Sequence, residues 1–306
     1  MEYREDFHSL EEAIKDRWGE KTEIQRIERL SGGDINEAYG LQLSSNISVF
    51  VKMNTRQHRN FFLAEAAGLE ALRCAQAVRV PKILGLGTEE TKGKAFLLLE
   101  YVESQQPGKA YWEAFGRQMA MLHRWDCGRM ARDQEGRSGY GFWEDNYIGA
   151  TPQKNSPRTS WIAFYRDCRL APQLCWAERF LGKDIRKKAE WLMEHLEDFL
   201  REPEFPSLLH GDLWSGNIMC GRGAQPWIID PAVYVGDCEA DLAMTQLFGG
   251  LPSVFYQAYE EINPIDWKEY EKRRDLYHLY HLLNHLNLFG AAYLGSVCRV
   301  IDKYAG

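Results

Sequence analysis

The stretch Leu208 to Ile218 reads LLHGDLWSGNI. Two leucines lead into His210, Gly211 and Asp212, and Asn217 follows five positions after the aspartate (217 − 212). A second carboxylate, Asp230, closes the apolar pair Ile228-Ile229 and precedes Pro231, eighteen residues beyond the first (230 − 212). This set answers the needs of phosphoryl transfer. One carboxylate accepts the proton of an acceptor hydroxyl, while an amide oxygen and the other carboxylate hold magnesium on a triphosphate. His and Asp beside Gly also occur in plain turns, where the histidine bonds backbone and the aspartate caps a helix. Asn217 at its offset, the two apolar strands and the later Asp230 are what separate this stretch from such a turn.

Such a site needs elements that orient the phosphates, and the first hundred residues offer them. Phe7, Leu10, Ile14 and Trp18 recur at helical spacing, so a helix packs on the body there. Ile24–Leu30 and Ala38–Leu43 read as strands on either side of Ser31-Gly32-Gly33-Asp34-Ile35-Asn36. Backbone N–H groups at Gly32 and Gly33 could approach phosphates closely, although the pair alone also suits an ordinary hairpin turn. Ile47–Met53 is a third strand with Lys52 near its end, where a lone charge can also mark a strand emerging into solvent. Asn54–Gln76 reads as a helix with Phe62, Ala66, Leu69 and Leu72 along one face. A strand lysine clamped by a helix glutamate orients the α- and β-phosphates in kinases. Glu65 is favoured over Glu70 for that role because it lies earlier, where the helix faces the cleft. Ile83–Gly87 and Ala95–Val102 complete five strands, with a turn at Thr91-Lys92-Gly93. Backbone groups at Glu100 to Val102, where the chain turns into helical territory, are candidates for holding an adenine ring.

The remainder is helical by pattern: Tyr111–Trp125, Trp161–Leu181, Asp184–Leu200, a helix from about Cys238, then Phe255–Ile262 and Trp267–Tyr304. Between Asp126 and Pro157 the pattern breaks into a long polar, Gly-rich connection, and long ordered loops are often functional. Its Phe142, Trp143 and Tyr147 are candidates for an acceptor wall or for packing. Asp241 either braces the catalytic loop or serves as a carboxylate favoured near a helix N-terminus. His278, His281 and His285 share a helical face, the geometry of a metal site. No H-E-x-x-H and no carboxylate at a suitable offset accompany them, so packing along the helix is the preferred reading.

Composition narrows the class. Of 306 residues, 26% are charged and 45% hydrophobic, ordinary for a globular protein able to bury a substantial core. A formal net charge of −7 argues against a phosphate-backbone binder and so against nucleic acid as partner. No apolar run approaches the roughly 20 residues that cross a bilayer, and the acidic N-terminus lacks the order of a signal peptide. Seven scattered cysteines without a C-x-x-C pair read as free thiols in a reducing compartment, predicting a cytoplasmic protein.

The catalytic loop of protein kinases has the form H-R-D-x-x-x-x-N followed by D-F-G. Gly211 stands here for the arginine and Asp230-Pro231 for the Asp-Phe, as in a small-molecule kinase of that architecture. The stretches SGGDINEAY, VFVKMN, FFLAEAAGLEALR, VRVPK, YGFWEDNYIGATPQ, LLHGDLWSGNI, IIDPAVYVGDCEADLAM and LNHLNLFG are similar to those of the fructosamine kinase (ketoamine-3-kinase) family. They run from residue 31 to residue 290. Trp214 within HGDLWSGN, with the N-x-I-G-x-T-P-Q segment, distinguishes this family from its choline and aminoglycoside kinase relatives. The resemblance implies an α+β, protein-kinase-like bilobal fold. Residues 1–103 would form a small N-lobe, a five-stranded antiparallel sheet with one helix, and 104–306 a larger, mainly α-helical C-lobe. It further implies ATP and Mg²⁺, with the γ-phosphoryl group passed to the 3-hydroxyl of a small-molecule or protein-bound ketoamine. The phosphorylated product is unstable and releases its amine, which makes the family deglycating. Carried over by position, Asp212 is the base, Asn217 and Asp230 hold magnesium, and Lys52 with Glu65 orients phosphates. Trp214 lines the acceptor pocket, where an indole face suits a sugar or a cation, and Asn284 and His285 fall in the matching helix motif. Asp34 departs from the family: many members carry cysteine in that glycine turn, so redox control through it is not expected here. A kinase of another small alcohol or an aminoglycoside shares this fold, and fold analogy does not choose the acceptor. An inactive nucleotide-binding scaffold is disfavoured because every chemical position is filled by a competent residue. The sequence sets no oligomeric state.

Overall fold

Strands β1 (Ile24–Leu30), β2 (Glu37–Leu43), β3 (Ser48–Thr55), β4 (Ile83–Glu89) and β5 (Lys94–Glu100) form one antiparallel sheet in the order β1-β2-β3-β5-β4. They belong to a computed structural model that describes residues 3–30, 36–132 and 135–306. Alternation along β5 shows why the sheet needs cover on both faces. Ala95, Leu97 and Leu99 join Phe62, Ala66, Leu69 and Leu72 of helix α2 (Arg59–Cys74) in one core. Phe96 and Leu98 instead meet Phe7, Leu10, Ala13 and Ile14, the last three from helix α1 (Leu10–Trp18). Ser9 caps α1 by accepting from the Glu12 N–H at 3.0 Å. The same period of two decides the setting of Lys52. Val49, Val51 and Met53 of β3 face the α1 core, so Lys52 between them projects to the α2 side.

The rest of the chain is mainly helical. Helix α3 (Lys109–His123) is followed by a short hairpin, β6 (Asn146–Ile148) and β7 (Thr151–Gln153). This hairpin lies inside the long polar connection between Asp126 and Pro157, where three-residue strands are too short to show a period. The helix expected over Trp161–Leu181 is α4 (Trp161–Phe164), a π-helical turn over Tyr165–Leu170, and α5 (Ala171–Ala177). Then come α6 (Lys183–Glu194), β8 (Ser207–Leu209), β9 (Ile218–Gly221), β10 (Gln225–Ile228), β11 (Tyr234–Gly236), α7 (Cys238–Leu247), α8 (Ser253–Glu260), α9 (Trp267–Phe289) and α10 (Leu294–Ala305). The single helix expected over Trp267–Tyr304 breaks at Gly290, whose φ of 87° ends α9. Strands β8 and β11, and β9 and β10, form antiparallel pairs. The HGDLWSGN loop joins β8 to β9, and Asp230 lies in the link from β10 to β11. No helix among the described residues is long and apolar enough to cross a membrane.

Candidate active site

Leu208 and Leu209 of β8 are fully buried and deliver the chain to His210, Gly211 and Asp212. Gly211 has φ +81°, and a Cβ there would collide with the Ala232 carbonyl oxygen, so only glycine fits. Both oxygens of Asp241 in α7 grip this turn, accepting from the His210 N–H at 2.7 Å and the Gly211 N–H at 2.9 Å. His123 of α3 backs Asp241, with Nε2 3.2 Å from Oδ2, and its Nδ1 lies 2.7 Å from the Tyr259 hydroxyl. Burial would raise the Asp241 pKa, but the His123 bond and the Gly211 N–H hold it below the ordinary value. The carboxylate stays charged and clamps the loop. The His210 ring accepts from the Asp212 N–H at 3.2 Å through Nδ1, so Nε2 carries the proton and donates to Ile229 O at 2.9 Å. Burial lowers the His210 pKa and keeps that imidazole neutral.

Five of the sequence-derived residues meet in one cleft. Asn217 donates from Nδ2 to the Asp212 carbonyl at 2.8 Å and to Asp212 Oδ2 at 3.1 Å. Its own carbonyl accepts the Ile229 N–H at 3.0 Å, which brings the catalytic loop beside Asp230. Asp230 adopts φ 55°, a left-handed conformation that costs a non-glycine residue about 1–3 kcal/mol and must be held by its surroundings. Lys52 Nζ donates to Asp230 Oδ1 at 2.5 Å and to Glu65 Oε1 at 2.7 Å. Burial alone would lower the Lys52 pKa, but the charges of Asp230 and Glu65 reverse this and raise it. Burial raises the Glu65 pKa against the opposing pull of Lys52. Glu70 turns elsewhere and pairs with Arg73 at 2.5 Å. Burial pushes the Asp212 carboxyl up to about 7; the Asn217 bond opposes this, while Asp230 and Asp241 add to it.

A cavity of about 160 Å³ opens above this cluster, walled by Leu30, Phe50, Leu69, Leu99 and Met219. Glu65 and Asp230 border it at one side and the segment Glu100 to Val102 at another. Glu100 is fixed by Lys82, which donates its N–H to Oε2 at 3.2 Å and accepts the Glu100 N–H at 2.9 Å. The Val102 N–H has no partner among the described residues. An apolar cavity with an unpaired backbone donor on its rim suits a heterocycle. Gly32, Gly33 and Asp34 lie outside the described residues.

On the other side of Asp212, Trp214 folds over Gly216 and presents an exposed indole edge-to-face with Phe248, ring centres 6.1 Å apart. Phe248 in turn lies 5.0 Å from the His285 ring, whose Nδ1 bonds His281 O at 2.8 Å. Asn284 is buried and accepts from Gln173 Nε2 at 3.2 Å. The three histidines of α9 serve separate ends: His278 bonds Ala243 O, and buried His281 has its pKa lowered to about 3 by burial first, then by His285 and His278. No group of three His, Cys, Asp or Glu side chains among the described residues is placed to hold a metal ion.

Phe142 is buried under Trp143, and Tyr147 packs at 4.0 Å on Phe61 of α2. Tyr147 thus packs on the helix that carries Glu65, while Phe142 is part of the core and Trp143 stays exposed over it. Sequence reasoning missed the polar role of the same segment. Asn146 Nδ2 donates to Val233 O at 2.7 Å and Gln153 Nε2 to Ala232 O at 3.1 Å, so the β6–β7 hairpin holds the chain just after Asp230. Gly68 of α2 approaches from the opposite side, where a Cβ would lie 3.2 Å from Val233 Cγ2 and 3.4 Å from Pro231 Cγ. Amides in the N-x-I-G-x-T-P-Q segment were the available signal.

Comparisons with known proteins bear on this geometry. A probable ketoamine kinase of Synechocystis is 40% identical over 299 residues, 97% of this chain and 96% of its own. The chloroplastic protein-ribulosamine 3-kinase of rice is 38% identical over 288 residues, covering 94% of this chain and 80% of the relative. Among solved structures, a protein from Haemophilus somnus described as a "putative fructosamine-3-kinase" superposes with a TM-score of 0.84 at 29% identity, covering 97% of both chains. Residues 7–305 match the family model described as fructosamine kinase. With relatives this similar along nearly its whole length, the chain belongs to the fructosamine kinase family, phosphotransferases of protein-kinase-like α+β fold.

Proposed function

We propose that this protein transfers the γ-phosphoryl group of Mg·ATP to the 3-hydroxyl of a ketoamine, free or protein-bound. The observation that carries this is the grouping of Asp212, Asn217, Asp230, Lys52 and Glu65 around one cleft. The donor set fits the metal. Asn217 Oδ1 and Asp230 Oδ2 have no protein partner among the described residues, and hard oxygen donors suit Mg²⁺. The apolar cavity beside the free Val102 N–H fits the adenine ring. When bound, Mg·ATP supplies the phosphoryl group and neutralises the charge that moves with it.

In this reading Asp212 accepts the proton from the acceptor hydroxyl, and a carboxyl poised at about 7 suits a base working near neutral pH. Asn217 and Asp230 hold the metal, and Lys52, kept in place by Glu65, orients the α- and β-phosphates. Gly32 and Gly33 would cover the phosphates. Residues 1–103 then bind nucleotide, while 104–306 carry the base, the metal ligands and the acceptor pocket. The indole of Trp214 receives the sugar and its neighbouring ammonium, with His285 beyond Phe248 at the pocket's outer end. Relatives named ketoamine kinase and protein-ribulosamine 3-kinase support the acceptor class. Release of the amine from the unstable phosphorylated product would make the activity a deglycation.

An ATP-consumption screen over fructosyl-, ribulosyl- and erythrulosyl-amines, with choline and aminoglycosides as controls, tests this. Turnover of ketoamines is expected, with the new phosphate ester at the 3-position by ³¹P NMR. Preference for choline or an aminoglycoside over every ketoamine would overturn the acceptor. Nucleotide binding without turnover of any acceptor would make the protein a scaffold.

A further inference from the structure

Arg169, in the π-helical turn Tyr165–Leu170, enters none of the steps above, yet it is completely buried. Its partners are neutral oxygens: Lys154 O at 2.5 Å, Cys168 O at 3.1 Å and Asn155 Oδ1 at 2.8 Å. Its guanidinium lies 3.9 Å from the centre of the Tyr234 ring and 4.6 Å from that of Phe164. Its Nε is buried without a hydrogen-bond partner. A buried cation without a carboxylate is costly, so what it holds in place matters.

The contacts trace a continuous route. Asn155, held by Arg169, donates to Asn146 Oδ1 at 3.0 Å, and Gln153 donates to the same oxygen at 2.7 Å. Asn146 and Gln153 then donate to the carbonyls of Val233 and Ala232. Tyr280 closes the set by donating to Gln153 Oε1 at 2.6 Å. Ala232 lies two residues after Asp230, and its N–H bonds His210 O at 2.9 Å.

We propose that Arg169 is a positioning residue for phosphoryl transfer: through Asn155, Asn146 and Gln153 it holds the segment after Asp230, and so keeps that carboxylate in its left-handed setting at the cleft. The proposal rests on the reading that Asp230 binds the metal. The catalytic loop has glycine where H-R-D kinases carry arginine, so it offers no cation of its own to anchor the following segment. In protein kinases such segments are commonly ordered by phosphorylation, through new arginine–phosphate pairs. Between Asp230 and Asp237 the only hydroxyl side chain is Tyr234, which is buried against Arg169. Arg169 therefore orders the segment by a ring face and a chain of amides, with no modification required.

Arg169→Lys keeps the charge but loses the planar fork, and Asn155→Ala cuts the route one step further on. Three quantities are read in full-length protein: amide hydrogen exchange over residues 231–236, Mg·ATP affinity by calorimetry, and the acceptor KM. Both variants should exchange faster over that segment and bind Mg·ATP about tenfold more weakly, as for loss of other outer-shell partners. The acceptor KM should stay within about twofold, because acceptor binding is not what the route supports. The double variant should be no worse than the weaker single, since both act on one route. If Arg169→Lys does not fold, Asn155→Ala decides. Wild-type exchange and Mg·ATP affinity in Asn155→Ala, or equal losses toward nucleotide and acceptor, would refute the proposal. Asp230→Ala is measured alongside. Its retaining Mg·ATP affinity would sink the metal reading and this proposal together, whereas its losing affinity while Asn155→Ala binds normally would sink the proposal alone.

Discussion

One side-chain amide, that of Asn217, donates to both the carbonyl oxygen and Oδ2 of Asp212, at 2.8 and 3.1 Å. Asp212 and Asn217 are thereby locked to each other, while Asp230 approaches from a separate link between strands. In the proposed mechanism the two aspartates act on different partners, so their variants should fail differently. Asp212→Asn should keep near-normal Mg·ATP affinity while kcat falls by about 10²–10⁴, the usual worth of a general base. Asp230→Ala should weaken Mg·ATP binding itself. Calorimetry alongside steady-state rates separates them. Loss of nucleotide binding in Asp212→Asn as severe as in Asp230→Ala, or near-full turnover, would remove Asp212 from the role of base.

The pH dependence follows from the raised Asp212 pKa. A base must be ionised, so kcat/KM should climb as pH rises and level off above about 7. Stability carries the opposite sign. The folded state binds the Asp212 proton more tightly than the unfolded state, so stability is lost as pH rises from the ordinary value of 3.8 to about 7. Asp212→Asn should therefore raise Tm relative to wild type at pH 8 and change it little at pH 4. A pH–rate profile that is flat from pH 5 to 9 contradicts the assignment.

Trp214 presents an exposed ring two residues from Asp212, folded over Gly216 and edge-to-face with Phe248. Trp214→Ala should raise the ketoamine KM about tenfold, the scale of one cation–π contact, and leave the ATP KM nearly unchanged. Equal effects on both substrates would reduce the indole to packing.

Gly211 tests the loop itself. Gly211→Ala would force a side chain into a left-handed backbone and against the Ala232 carbonyl. It should lower stability by at least about 1–3 kcal/mol and abolish turnover, because the strain falls on the contact between the catalytic loop and the Asp230 segment. Urea midpoints and rates measure this. A fully active, equally stable variant would show that the loop tolerates another backbone path.

Local patterning determined much of this architecture. Alternation in VFVKM sends Lys52 away from the α1 core, and the 3.6-residue period of α2 buries Phe62, Ala66, Leu69 and Leu72 while leaving Glu65 on a different face. Spacing within HGDLWSGN brings an amide to an aspartate because the intervening residues form one tight turn. These are relations between near neighbours, and near neighbours share a backbone geometry that residue types reveal. What the tertiary structure decided lies between distant segments. Nothing in the period of NYIGATPQ says that its amides serve the carbonyls of Ala232 and Val233, since a carbonyl's need for a donor has no signature in its own sequence. Tyr147 could face an acceptor or a helix until α2 packs against it. Nothing in the spacing of the helix Trp161–Leu181 singles out Arg169. Only the meeting of Tyr234, Phe164 and Asn155 around it turns it inward, because a guanidinium can leave water where ring faces and carbonyl oxygens take the place of its hydration.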